Sequence, residues 1–361
     1  MKYKYKVCVY AISKNEEKFV ERWFNSVKEA DYIVVLDTGS TDNTVNLLKK
    51  NGAFVKRKII KPWRFDVARN ESLKLVPEDT DICVCIDLDE ILEPGWRDKL
   101  DKIWNDEITR LRYNYNWKLD NEGKPLVNFY IEKIHKKNGY KWIHPVHEVL
   151  KYDKKEKFIT TDLITVNHYP DEKKSRNSYL HLLELSVKED PSDDRNMHYL
   201  GREYMYHKKW NKSIDTLIKH LSLKNATWKD ERCASMRFIS RCYIELNRFE
   251  EARMWLNKAI EEAPYLRDPY VEKALLEFRL KNYKEIINCC EKALSINNNA
   301  KSYINETFSF DNTIYDLLSI AYYFTNDLNN SLKYVNLALE YSPNDERLIN
   351  NKKLIENTMN K

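Results

Sequence analysis

Residues 82–86, Ile-Cys-Val-Cys-Ile, form an unbroken apolar run that stops at Asp87-Leu88-Asp89. A strand with one wet face alternates apolar and polar residues. An unbroken run therefore asks for cover on both faces, as in a parallel sheet flanked by helices. The preceding residues supply such a sheet. Residues 7–12 and 32–36 are further apolar runs, the second ending at Asp37, and residues 53–57 suit a third strand. Between them, residues 16–30 place Phe19, Val20, Trp23, Phe24 and Val27 on one helical face. Residues 43–50 and 65–75 also read as helices, with Asp42 or Thr41 as N-cap of the first. This βαβαβ alternation predicts an open α/β, mostly parallel sheet with ligand-binding loops at the strand C-termini.

The pattern then changes twice. Short strand-like runs at 110–118, 127–135 and 159–168 predict a mixed-sheet second half of the same domain. After Asp190-Pro191 the chain becomes helical, and helix starts recur at Trp210, Phe249, Tyr283 and Leu328, in steps of 39, 34 and 45 residues. The middle step equals the tetratricopeptide period. Small residues at Ser213, Ala252 and Ser331 would let paired helices approach closely. Late apolar pairs Ala259-Ile260, Ala293-Leu294 and Ala338-Leu339 repeat in step, and the longest step implies an insertion at 301–312. The expected domains are 1–175 and 176–361, the second an all-α repeat domain.

Composition narrows the partners. With 61 basic and 56 acidic residues, net charge +5, nothing argues for nucleic acid. Seven cysteines, without a CxxC pair, suit buried thiols in a reducing compartment rather than disulfides. The apolar run at 7–12 is too short for a signal-peptide core, and no run approaches a membrane span. A cytoplasmic protein is expected.

Strand alternation puts Asp87 and Asp89 on one side of the sheet's ligand edge. Two close carboxylates repel unless a cation or protons neutralise them. Mg²⁺ or Mn²⁺ held by these oxygens and by substrate phosphates answers this, and offsets charge on a departing diphosphate. Asp37, ending a strand before Thr38-Gly39-Ser40-Thr41-Asp42, can accept hydrogen bonds from a base or ribose. Arg69, in Phe65-Asp66-Val67-Ala68-Arg69-Asn70, is a candidate donor to a base or phosphate.

These segments, Lys14-Asn15-Glu16-Glu17, residues 34–42, Ala68-Arg69-Asn70-Glu71 and Ile86-Asp87-Leu88-Asp89-Glu90, closely resemble glycosyltransferase family 2 in order and spacing. The resemblance covers about residues 5–170 and implies the nucleotide-sugar-binding GT-A fold. Trp142-Ile143-His144-Pro145-Val146-His147-Glu148 and Val166-Asn167-His168-Tyr169-Pro170 are similar to bacterial members fused to tetratricopeptide-like repeats, a group that includes glycocin-type peptide glycosyltransferases.

The resemblance implies a metal-dependent, inverting hexosyl- or N-acetylhexosaminyltransferase. Its donor would be a nucleotide-sugar, with UDP the family's usual carrier, and its acceptor a peptide, protein or glycan. Asp37 would contact the nucleobase, Arg69 the base or phosphate region, and Asp87 the ribose and metal. Asp89 would bind the metal, with His168 as a late histidine ligand. Glu148 is the candidate base, with His147 as the alternative base or a metal ligand; Asp66 and Glu90 would support the site. The charged segment 169–176 is a candidate closing loop. The repeats would bind the acceptor or make a homodimer. Two other readings compete. One is a non-catalytic repeat scaffold with a degenerate transferase half, which the intact Asp37, Arg69, Asp87 and Asp89 oppose. The other is a nucleotidyltransferase, whose Gly-rich phosphate loop is missing from Ser13-Lys14-Asn15-Glu16-Glu17.

Overall fold

The computed structural model describes residues 3–120, 122–171, 179–297 and 302–360. They form two compact units, the first running to Ser186 and including Ser302 and Tyr303, the second comprising the rest from Val187.

In chain order the first unit contains β1 (Val7–Ser13), α1 (Glu17–Val27), β2 (Tyr32–Asp37), α2 (Thr44–Asn51), β3 (Phe54–Arg57), α3 (Phe65–Leu73) and β4 (Ile82–Cys85). Then come β5 (Glu90–Leu92), α4 (Trp96–Ile103), β6 (Arg110–Leu119), β7 (Pro125–Lys136), β8 (Tyr140–Ile143), β9 (Val149–Tyr152) and β10 (Phe158–His168). Eight strands make one sheet in the order β3-β2-β1-β4-β7-β6-β10-β5. The first four are mutually parallel, β7 is antiparallel to both its neighbours, and β10 runs parallel to β6. Strands β8 and β9 pair separately. The order reverses at β1, and in open α/β sheets such a switch point opens a crevice at the strand C-termini.

Both faces of the central strands are covered, as the unbroken apolar runs require. Val7, Val9, Ala11, Val84 and Ile86 share one core with Trp23, Leu48, Trp96 and Leu100. Cys8, Tyr10, Cys83 and Cys85 share the other with Tyr140, Trp142 and Leu150. All seven cysteines are free and buried. Three elements escape the sequence pattern. Strand β5 is too short to show a period, the β8–β9 pair spans four residues a side, and α4 carries few apolar positions.

The second unit stacks antiparallel helix pairs: α6 (Asp194–Tyr206) with α7 (Trp210–Ser222), α8 (Lys229–Glu245) with α9 (Phe249–Glu262), α10 (Asp268–Arg279) with α11 (Tyr283–Leu294), and α12 (Thr313–Phe324) with α13 (Leu328–Tyr341). α5 (Tyr179–Glu189) precedes them and α14 (Glu346–Met359) follows. Each pair turns through a left-handed residue just before its second helix: Lys208, Asn247, Lys281 and Asn326. The small residues allow close approach. Ser213 Oγ donates to Gly201 O, and Ser319 and Ser331 each donate a hydroxyl to the other's carbonyl. Among the described residues no helix is long and apolar enough to cross a membrane.

Candidate active site

The turn after β2 is built around Asp37. Its carboxylate is fully buried and accepts from the backbone N–H of Gly39 and Ser40 (3.2 and 3.1 Å) and from Arg57 Nε (3.1 Å). Ser13 Oγ, at the end of β1, lies 3.4 Å away. Gly39 has φ +119°, a conformation that favours glycine; a Cβ there would meet only the movable Cδ1 of exposed Ile59. The N-cap of α2 is Asn43, one residue later than expected, while Asp42 before it accepts from Thr44 N and Oγ1 (3.1 and 2.6 Å).

Across β1, the C-terminal end of β4 carries a second, denser cluster. Arg69 of α3 is buried rather than exposed, and its guanidinium is committed on two sides. Nη1 and Nη2 donate to the two oxygens of Asp87, and Nε donates to Glu148 Oε1 (2.9 Å). Lys133 of β7 approaches Asp87 from the other side at 3.0 Å and reaches Glu90 Oε1 at 2.7 Å. Glu90 also accepts from the Asp87 backbone N–H and from Tyr115 Oη (2.9 Å each). Burial works against the Asp87 carboxylate, but Arg69 and Lys133 outweigh it and hold its pKa far below the usual carboxylate range. Glu90 moves the other way: burial, with Asp87 and Asp89 nearby, raises it despite Lys133.

Asp89 meets His168 beside this cluster because β5 starts one residue after Asp89. It pairs antiparallel with the end of β10, setting His168 opposite Glu90. The Tyr169 N–H closes the join on Asp89 O at 2.8 Å. His168 Nε2 lies 3.5 Å from Asp89 Oδ2, while Nδ1 lies 3.1 Å from the Trp117 carbonyl. A carbonyl only accepts, so Nδ1 carries the proton; Nε2 donates to Asp89 when the ring is charged and offers a lone pair to a cation there when it is neutral. The indole of Trp117 stacks on the ring at 4.5 Å and fixes its plane. Burial disfavours the charged ring, but the hydrogen bond and charge of Asp89 outweigh that and raise its pKa. A carbonyl-oriented imidazole beside a carboxylate suits a divalent ion, whose bonds of about 2.1 Å can bridge that gap.

The segment carrying His147 and Glu148 is anchored at both ends of a strained bend. Asn70 of α3 clamps Trp142, donating to its carbonyl (2.8 Å) and accepting from its N–H (2.9 Å). The Phe65 N–H donates to Pro145 O at 2.9 Å. His144 and His147 both sit at positive φ, +77° and +51°, a conformation that costs energy in a non-glycine residue. The His147 ring stacks on Tyr179 at 6.0 Å.

Of the residues singled out from sequence, the fold thus gathers Arg69, Asp87 and Glu148 into one ion-pair cluster, and Asp89 with His168 beside it. Asp37 sits in the turn two strands away. Asp66 pairs with Arg64 at 2.9 Å. Of the proposed closing loop, residues 172–176 lie outside the described residues; Asp171 pairs with Lys18 at 2.8 Å. Lys133, Arg57 and Tyr115 were not foreseen. Lys133 left only a weak signal, one charged residue beside Glu132 in a strand that also holds Asn128 and His135.

Residues 8–149 match the model of glycosyl transferase family 2, and residues 238–265, 268–300 and 313–345 match a tetratricopeptide repeat model. An uncharacterized glycosyltransferase of Rickettsia bellii (strain RML369-C) is 35% identical over 100 residues, covering 27% of this chain and 33% of that protein. Another, from Rickettsia conorii (strain Malish 7), is 38% identical over 103 residues, covering 27% and 34%. The chain spans about a third of the length of these curated relatives. Among solved structures, MamA is 19% identical at a TM-score of 0.38, covering 50% of this chain and 99% of its own. That likeness is too low to carry an argument.

Proposed function

We propose, on the premise that residues 8–149 are a glycosyl transferase family 2 domain, that the chain is a metal-assisted, inverting transferase. It moves a hexosyl or N-acetylhexosaminyl group from a UDP-sugar to a soluble peptide, protein or glycan. The observation that carries this reading is the Asp89–His168 pair at the ligand edge of the sheet, one residue from the Asp87 cluster.

Asp89 and His168 would hold Mn²⁺ or Mg²⁺, which when bound would supply positive charge to the leaving nucleoside diphosphate. Asp37, with Gly39 allowing close approach, faces the nucleobase. Asp87 would be the ribose-side carboxylate, with little left to offer a metal because Arg69 and Lys133 already engage its oxygens. Arg69 acts from behind, fixing Asp87 and Glu148 relative to each other. Glu148 takes the proton from an acceptor hydroxyl or thiol as that atom bonds to the anomeric carbon. The bond from that carbon to the diphosphate oxygen breaks on the opposite face, and UDP leaves. His147 is the alternative base. The repeats offer a surface for a peptide acceptor or a second copy of the chain. In this reading the protein works in the cytoplasm.

The test is calorimetric titration of the purified chain with UDP, GDP and their sugars, with and without Mn²⁺. Metal-dependent binding of one nucleotide, lost in Asp89→Asn, supports the transferase. A folded protein that binds no nucleotide with metal present supports a scaffold instead.

A further inference from the structure

The second unit contains a group of metal-ligating side chains that the transferase reading does not use. Asp194 opens α6, His220 lies in the last turn of α7, and Glu231 lies in the first turn of α8. One ligand atom from each can be chosen so that all lie within 4.8 Å of one another, and His220 and Glu231 are buried.

Acidic residues in the first turn of a helix are common and complement its dipole. The histidine is harder to explain that way. His220 is 0% exposed, yet among the described residues its Nε2 has no hydrogen-bond partner. It lies 3.4 Å from Glu231 Oε1 without making a hydrogen bond to it. Leaving a buried polar nitrogen unsatisfied incurs its full desolvation penalty. Two ligands on one tetrahedral ion, with bonds of about 2.0–2.1 Å, are separated by about 3.3–3.4 Å. The observed gap is that of two atoms sharing a cation.

The ring is also held as a metal ligand is held. Ser235 Oγ lies 2.9 Å from His220 Nδ1 and 2.7 Å from His198 Nδ1. One hydroxyl proton can serve only one of the two rings. When it goes to His198, His220 donates its own Nδ1–H to Ser235, and its Nε2 presents a lone pair towards Glu231. An outer partner that sets the tautomer is a recurrent feature of histidine ligands.

We infer that Asp194, His220 and Glu231 form a second metal site, for a divalent transition ion of the zinc class, that pins together the ends of α6, α7 and α8. One imidazole and two carboxylates suit such an ion. Three protein ligands leave a further position for water. The ion cross-links the first helix pair to the start of the next.

The experiment uses the full chain carrying Asp89→Asn, so that the ligand proposed for the first unit is removed whether or not the transferase reading holds. The protein is stripped with chelator, desalted and titrated with Co²⁺, read by visible absorption, then with Zn²⁺ in competition. One Co²⁺ per chain is expected, displaced by Zn²⁺, with affinity reduced at least tenfold by adding Asp194→Asn or Glu231→Gln. His220→Asn should abolish the absorption band. If that variant loses its helical circular dichroism, the two carboxylate variants decide the matter. No Co²⁺ uptake by the Asp89→Asn chain, or unchanged affinity in both carboxylate variants, would overturn the site.

Discussion

His135 gives a quantitative test of how the sheet's second core is held. It is fully buried on β7, with Nδ1 donating to Lys136 O (2.8 Å) and Nε2 accepting from Tyr10 Oη (2.8 Å). Trp142 Nε1 donates in turn to Tyr10 Oη at 2.9 Å. Both ring nitrogens are satisfied only while the ring is neutral, and burial lowers its pKa from 6.5 to about 4. The unfolded chain therefore binds more protons than the native one between those values, so stability rises with pH there. The contribution is complete above the unfolded pKa and is lost as pH falls towards the native one. At about 1.4 kcal/mol per unit, the total is on the order of 3 kcal/mol, of which about 2 kcal/mol is gone at pH 5. His135→Gln removes the titration and keeps an acceptor for Tyr10. Urea unfolding of both proteins, followed by tryptophan fluorescence at pH 8 and pH 5, gives the difference. Other acid-sensitive groups, such as buried His198, occur in both proteins and cancel. The parent should lose about 2 kcal/mol more than the variant over that range. Equal losses would refute the argument that a neutral His135 is required by the fold.

The remaining predictions concern the site. Lys133→Met leaves Asp87 and Glu90 short of a buried cation and should cost about 3 kcal/mol at pH 8. Adding Glu90→Gln should recover part of that loss in urea unfolding, and no recovery would deny the pairing. His168→Asn should weaken Mn²⁺-dependent UDP binding at least tenfold in calorimetry, while leaving metal-free binding unchanged. Glu148→Gln should bind donor like the parent but slow sugar transfer to acceptor or water, read as UDP release, by about 10²–10⁴-fold; a parental rate would move the base to His147.

Much of this protein is legible from sequence because the relevant physics is local. The apolar runs that became β1, β2 and β4, the helical face of α1 and the step between repeats all depend on neighbours a few residues apart. The placement of Asp37 and Asp87 at strand ends follows from those same runs. What the tertiary structure decided is which distant groups meet. His168 reaches Asp89 through a three-residue strand too short to leave a pattern. Arg69, which in sequence could serve any anion, is consumed by Asp87 and Glu148, and Lys133 enters from a strand whose register contains bulges. Asp194, His220 and Glu231 come from three helices, and nothing in their spacing announces the contact. A period records which face of an element is buried. The charge, hydrogen-bond partner and pKa of a side chain on that face depend on chain brought from far away in sequence, and only the packed fold specifies it.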